Sequence, residues 1–174
     1  IQDLHLLDNK QTTGRTIPAL TSKILHPDTD GEPFDNSFHY HSVIGKLNFL
    51  EKSTRPEIAY AVHQCARFVE NPTKLHGEAV KRIGRYLLTS PDKGIILRPS
   101  STESFDCWVD ASHAGEWRKQ GADAEHDATT AKSRTGYVLL YAGCPIIWAS
   151  KLQTEIALSS TEAEYIALST AMRE

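Results

Sequence analysis

The chain has 174 residues, room for one ordinary domain or parts of two, and its 40% hydrophobic and 24% charged residues are a globular rather than a disordered composition. A formal net charge of −3 excludes binding to nucleic acid through overall basicity. No apolar run approaches the roughly 20 residues that cross a bilayer and the start lacks a signal-peptide pattern, so no membrane partner is expected. Three cysteines, Cys65, Cys107 and Cys144, lack metal-type spacing and suit reduced, buried thiols in an intracellular protein. Ile1 is not an initiator methionine, and the chain reads as cut from something longer at its front.

Residues 1–40 read as a connecting segment laid over a neighbouring domain. They carry Pro18, Pro27, Pro33 and the turn-prone Asp28-Thr29-Asp30-Gly31, with a short helix remnant at most over 1–7. Residues 41–98 turn helical. Val43, Ile44, Leu47 and Leu50 recur at three- and four-residue steps, with Ser42 near the cap. Thr54-Arg55-Pro56-Glu57 reads as a stop and restart, Pro56 suiting a first turn. Ile58, Ala61, Val62, Cys65 and Phe68 or Val69 then give a second helix its apolar face. Asn71-Pro72-Thr73 breaks it, and a third helix over 74–89 turns Ala79, Val80, Ile83 and Leu87 inward. Between Arg55 and Arg98 stand eight bases and four acids. Lys81 and Arg85 share one face of the third helix, with Arg82 beside them and Lys74 further toward the N-terminus. Such a face contacts the phosphates of a duplex, or is simply a solvated helix surface.

Pro91-Asp92-Lys93-Gly94 is a turn, Ile95-Ile96-Leu97 a short strand or linker, and residues 99–103 a boundary before a sheet-bearing region at 102–174. There Phe105, Cys107 and Val109 alternate with Asp106, Trp108 and Asp110, the period-two pattern of a half-buried strand ending on a carboxylate. A polar excursion at 116–132 reads as a loop. The runs 136–141 and 145–150, around Ala142-Gly143-Cys144, read as an antiparallel hairpin. A last helix starts at Ser159, a good N-cap, with Glu162 three residues on to complete a capping box. At about 100° per residue, Tyr165, Leu168, Ala171 and Met172 form one stripe that includes Glu164, with Glu162 roughly 160° away from Glu164. A carboxylate aimed into a packed face needs a partner, and a divalent metal shared with Asp110 is one. Taken alone, Asp110 reads rather as a strand-end turn residue, whereas for Glu164 the wheel position argues against a mere surface acid.

Val109-Asp110-Ala111, Ser133-Arg134-Thr135-Gly136-Tyr137-Val138, Ile147-Trp148-Ala149-Ser150-Lys151-Leu152-Gln153 and Ala157-Leu158-Ser159-Ser160-Thr161-Glu162-Ala163-Glu164-Tyr165 come in the order of the ribonuclease H region of copia-type retrotransposon polyproteins, which the chain resembles. Ser42-Val43-Ile44-Gly45, Arg55-Pro56-Glu57-Ile58-Ala59-Tyr60 and Ala79-Val80-Lys81-Arg82-Ile83 extend the resemblance to the connection after the reverse transcriptase, so that it covers residues 40–174. The fold this implies is α/β (α+β), a helical connection followed by a partial ribonuclease H-like fold of three antiparallel strands and a helix.

The activity implied is hydrolysis of the RNA strand of RNA/DNA hybrids with two magnesium ions, Asp110 bridging or binding both and Glu164 binding one. The hybrid, contacted through Lys74, Lys81, Arg82 and Arg85, and the rest of the polyprotein are the implied partners. A virus-like particle in the cytoplasm, or the nucleus, is the implied place. Departures from the family pattern stand beside this. No aspartate follows Asp127, Asp110-Ala111-Ser112 replaces the usual Asp-Ala-Asp, and the 116–132 excursion is longer than usual. The chain by itself is therefore expected to be inactive. The alternative class is a non-catalytic nucleic-acid-binding or structural remnant of a retroelement. His39 and His41 read as solvated loop residues, His113 as a loop histidine near the carboxylate, and no Gly-x-Ser-x-Gly elbow, P-loop or dinucleotide fingerprint occurs.

Overall fold

The computed structural model describes residues 2–4, 6, 13–19, 25–28, 30–114 and 131–174; the excursion expected at 116–132 lies, up to residue 130, outside them. The chain divides into two compact units, Ile1–Gly94 and Ile95–Glu174. Together the described residues hold four α-helices and one three-stranded antiparallel sheet.

In the first unit α1 is Tyr40–Ser53, α2 is Ala59–Ala66 and α3 is Lys74–Thr89. Val43, Ile44 and Leu47 of α1, Ala61, Val62 and Cys65 of α2, and Val80, Ile83 and Leu87 of α3 meet in one core, the spacing expected of helix faces. Burial pushes the Cys65 thiol up to about 12. The cap of α1 is His39 and not Ser42, because Tyr40 is already helical and buried, its hydroxyl donating to the Cys65 carbonyl at 2.9 Å. Pro56 opens a 3-10 turn, Pro56–Ile58, that runs into α2. Helix α2 ends at Ala66, short of Phe68, which stacks on His76 of α3 with ring centroids 4.0 Å apart. The described parts of the N-terminal segment belong to this same core: Leu4, Leu6, Phe34 and Phe38 are buried in it. Arg55, 4% exposed, locks the α1–α2 turn to the end of α3. It donates from Nε to Glu57 at 2.6 Å, from Nη1 to the Ser90 carbonyl at 2.9 Å and from Nη2 to Ser90 Oγ at 2.7 Å.

The second unit opens without regular structure; Ile95–Leu97 forms no strand. Strand β1 is Phe105–Ser112, β2 is Arg134–Tyr141 and β3 is Cys144–Leu152, in sheet order β1-β2-β3. The β2–β3 connection is Ala142-Gly143, both with positive φ (49° and 78°), the primed geometry whose twist matches a tight hairpin. Ala142 is fixed there, its N–H donating to the Ser104 carbonyl and its carbonyl accepting from Ser100, both at 2.8 Å. The last helix, α4, is Ser160–Ala171 and packs on β1 and β2. Tyr137, Leu139 and Ala171 are buried between helix and sheet, with Val109, Ile147 and Ala149 packed against them.

Candidate functional site

Asp110 lies inside β1, not at its end. It pairs with Gly136 of β2, which pairs with Ser150 of β3. The small residues after it do not open a loop, because Ala111 and Ser112 still find ladder partners in Thr135 and Arg134. Alternation turns Val109 toward α4 and therefore Asp110 to the opposite face, with Trp108 and Ser112. Asp110 is exposed, and among the described residues its side chain makes no hydrogen bond or ion pair. Gly136 leaves open space beside it: a Cβ built there would meet only the Asp110 carbonyl oxygen, at 3.9 Å.

Helix α4 starts as its sequence requires. Ser159 Oγ accepts from the Glu162 N–H at 3.1 Å, while the Glu162 carboxylate accepts from Leu158 N–H at 2.7 Å, one residue before the reciprocal partner of a standard capping box. The buried stripe is Ala163, Ala167 and Ala171, whereas Tyr165 is 69% and Met172 77% exposed. This corrects the expected inward stripe of Tyr165, Leu168, Ala171 and Met172, of which Ala171 alone is buried. Alanines four apart let the helix axis approach the sheet, which the larger side chains would hold off. Glu164 is accordingly exposed, about 60° from the centre of the alanine stripe, at the rim of the packed face rather than within it. The two carboxylates thus stand on elements that pack together, but the side chains are not gathered into one buried cluster.

Two residues that no spacing rule assigns hold this arrangement. Gln153, 5% exposed, donates from Nε2 to Thr135 Oγ1 at 3.1 Å and to the Ala163 carbonyl at 2.9 Å, tying β2 to the first turn of α4. Ser133, fully buried, accepts from Gln153 N–H through its carbonyl at 2.8 Å and from Ala114 N–H through Oγ at 3.1 Å, fixing the exit of β1. Both fall within the runs that carry the family resemblance, which is the only signal the sequence offers for them.

Two carboxylates are the right donors for a hard cation such as magnesium, but too few. Among the described residues no three His, Cys, Asp or Glu side chains gather as a metal site. His39 and His41 are exposed at the start of α1, and His113 Nε2 sits 3.3 Å from the Ala157 carbonyl. The basic positions of α3 carry their own counter-charges. Lys74 pairs with Glu32 at 2.9 Å, and Lys81 and Arg85 share Glu78 at 3.4 and 3.5 Å. The hydrogen bond and charge of Glu32 raise the Lys74 pKa, and Lys74 lowers that of Glu32. Arg82 is half-buried, with Nε out of solvent and without a hydrogen-bond partner among the described residues.

These features define a class: a helical unit followed by an antiparallel sheet with one helix laid on it, each of the two packed elements presenting a carboxylate. Comparison with known proteins adds relatives. The chain is 36% identical over 150 residues to the retrovirus-related Pol polyprotein from transposon RE2 of Arabidopsis thaliana. It is 42% identical over 128 residues to that from transposon TNT 1-94 of Nicotiana tabacum. It is 35% identical over 135 residues to secreted RxLR effector protein 161 of Plasmopara viticola. These matches cover 86%, 74% and 78% of this chain, and 9%, 9% and 87% of the respective relatives. The chain is thus similar to stretches of retrovirus-related Pol polyproteins from transposons, of whose length it spans about a tenth. No family model and no solved structure matches it.

Proposed function

We propose that the chain comprises the connection after the reverse transcriptase and the first half of a ribonuclease H domain, and that in the intact polyprotein it contributes Asp110 and Glu164 to hydrolysis of the RNA strand of RNA/DNA hybrids. The observation that supports this most is the juxtaposition itself: an aspartate on the first of three antiparallel strands, and a glutamate on the helix packed against that strand. Asp110, from the sheet face turned away from α4, and Glu164, from the rim of α4, are carboxylates of the kind magnesium takes, and sharing the metal, which would neutralise charge on the attacking and leaving oxygens, would require further carboxylates and packing from the rest of the polyprotein. Gln153 and Ser133 position the two elements, and Lys74, Lys81 and Arg85 would meet the hybrid's phosphates by exchanging their present acidic partners for it, with Arg82 beside them.

A second reading, a non-catalytic nucleic-acid-binding or structural remnant, draws on the turn of Asp110 away from α4 and on the neutralised basic face. It also draws on the Plasmopara viticola relative, in which this stretch makes up 87% of a protein. The test is cleavage of a labelled RNA/DNA hybrid in magnesium by this chain, by the same stretch inside a longer polyprotein, and by Asp110→Asn and Glu164→Gln forms of each. Cutting by the longer form alone, lost in both variants by at least about a hundredfold, supports the enzyme reading. Hybrid binding without cutting in every form, unchanged by Asp110→Asn, replaces it with the second.

A further inference from the structure

Segment 25–34, of which residue 29 lies outside the described residues, is strapped across the N-terminal turn of α3. Phe34 N–H donates to the Pro72 carbonyl at 3.2 Å, Lys74 N–H to the Glu32 carbonyl at 2.9 Å, and Pro33 bridges Thr73. Thr73 Oγ1 donates to Asp28 at 3.1 Å, and Arg67 Nη1 to the Leu25 carbonyl at 3.2 Å. The Phe34 ring lies so close to Gly77 that a Cβ there would be 2.6 Å from it. At the centre is His76, 1% exposed and stacked on Phe68.

The partners of His76 dictate its protonation. Nε2 lies 3.0 Å from the His26 carbonyl, which only accepts, so Nε2 carries the hydrogen. Nδ1 lies 3.0 Å from the Thr73 N–H, which only donates, so Nδ1 is bare. The same nitrogen completes the capping box of α3 with Thr73. A proton on Nδ1 sets two donors against each other and strips the Thr73 amide of its acceptor. Thr73 Oγ1, 3.1 Å from Nδ1, offers only a substitute acceptor, already committed to the α3 cap and to Asp28.

We infer that His76 is an acid-sensitive latch: its neutral form fastens segment 25–34 to α3, and its protonation releases the segment together with Glu32, the counter-charge of Lys74. The charged groups around it pull both ways. Burial and the neighbouring charges of His26 and Arg67 disfavour the imidazolium, whereas the His26 carbonyl bond and Asp28 favour it, and the balance lowers the pKa below the ordinary value. The sign follows. The released state binds a proton at about 6.5 and the latched state only lower, so the latch is whole above pH 6.5 and weakens as pH falls toward the latched value.

The test is amide hydrogen exchange of Phe34 and Lys74 in the full chain between pH 7.5 and 5, corrected for intrinsic exchange, beside the His76→Gln variant. Glutamine supplies the same acceptor in a Thr-x-x-Gln box but does not titrate. Protection in the parent chain should fall by up to about tenfold per pH unit below about 6.5, and stay within about twofold in the variant. Flat protection in the parent chain, or an equal fall in both proteins, overturns the inference; the latter would assign the effect to His26. Should the variant not fold, the imidazole titration of His76 decides, a midpoint at or above about 6.5 being the overturning result.

Discussion

The alanine stripe of α4 sets the distance between helix and sheet, and thereby where Glu164 stands relative to β1. Ala163 and Ala167 are fully buried and Ala171 is 2% exposed, so Ala167→Leu forces three additional carbon atoms into a closed contact. Overpacking of that kind costs about 1–3 kcal/mol. The second unit, of about 80 residues, has a stability on the order of 4–12 kcal/mol, so the loss is a large fraction, equivalent to a fall in Tm of roughly 5–20 °C. The matched control is Leu168→Glu, one position along at a 45% exposed site, where a change within about 0.5 kcal/mol is expected. The described tryptophans, Trp108 and Trp148, belong to the second unit and the first unit's sequence has none, so tryptophan fluorescence during thermal unfolding does not follow the first unit. If Leu168→Glu lowers the midpoint more than Ala167→Leu does, the large apolar residues are the packed face and the alanine reading is refuted.

The first unit and the thiols supply two further checks. Arg55→Met removes three hydrogen bonds and leaves the Ser90 carbonyl with only the longer bond from Lys93 N–H at 3.3 Å; a loss on the order of 2 kcal/mol in helical unfolding followed by circular dichroism is expected, and Arg55→Lys should not restore it because an ammonium cannot reproduce the fork. A loss below about 0.5 kcal/mol would mean that water replaces the network. At pH 8 a thiol reagent should modify Cys107 fast in the folded chain and Cys65 only as the chain unfolds, since Cys107 is exposed on β1 whereas Cys65 is closed off with its thiol pushed up to about 12. Equal rates for the two would contradict the packing of α1 against α2.

What the sequence disclosed depended on how far each interaction reaches along the chain. The helices of the first unit are legible because Val43-Ile44-Leu47 and Val80-Ile83-Leu87 repeat within single turns, and the hairpin because Ala142-Gly143 interrupts two apolar runs. The face of α4 was misread for a physical reason. Hydrophobic periodicity weighs a stripe by side-chain size, and Tyr165, Leu168 and Met172 outweigh three alanines, although close helix–sheet packing selects small residues. The end of β1 was misjudged because a ladder partner 22 residues away, Arg134 opposite Ser112, decides whether small residues stay in the strand. The strap over α3 is equally non-local: His76 bonds a carbonyl 50 residues earlier, and nothing in a Pro- and Asp-rich segment announces that.

Asp110 and Gly136 bear on the choice between an enzyme fragment and a remnant. Aspartate and glycine are both poor strand residues, and here they face each other across β1 and β2 with no side-chain bond among the described residues to compensate. A sheet kept only for its shape has no use for that pair, since a Cβ at Gly136 meets nothing closer than 3.9 Å and a β-branched residue fits at either place. Local rules broken without structural gain are expected at functional or strained sites. Asp110→Thr and Gly136→Thr should therefore each leave stability unchanged or raise it by up to about 1 kcal/mol, read from the same tryptophan transition, while Asp110→Thr abolishes any cleavage by the longer polyprotein. If Asp110→Thr instead lowers stability by about 1 kcal/mol or more, the carboxylate has a structural part in β1, and its presence ceases to speak for catalysis.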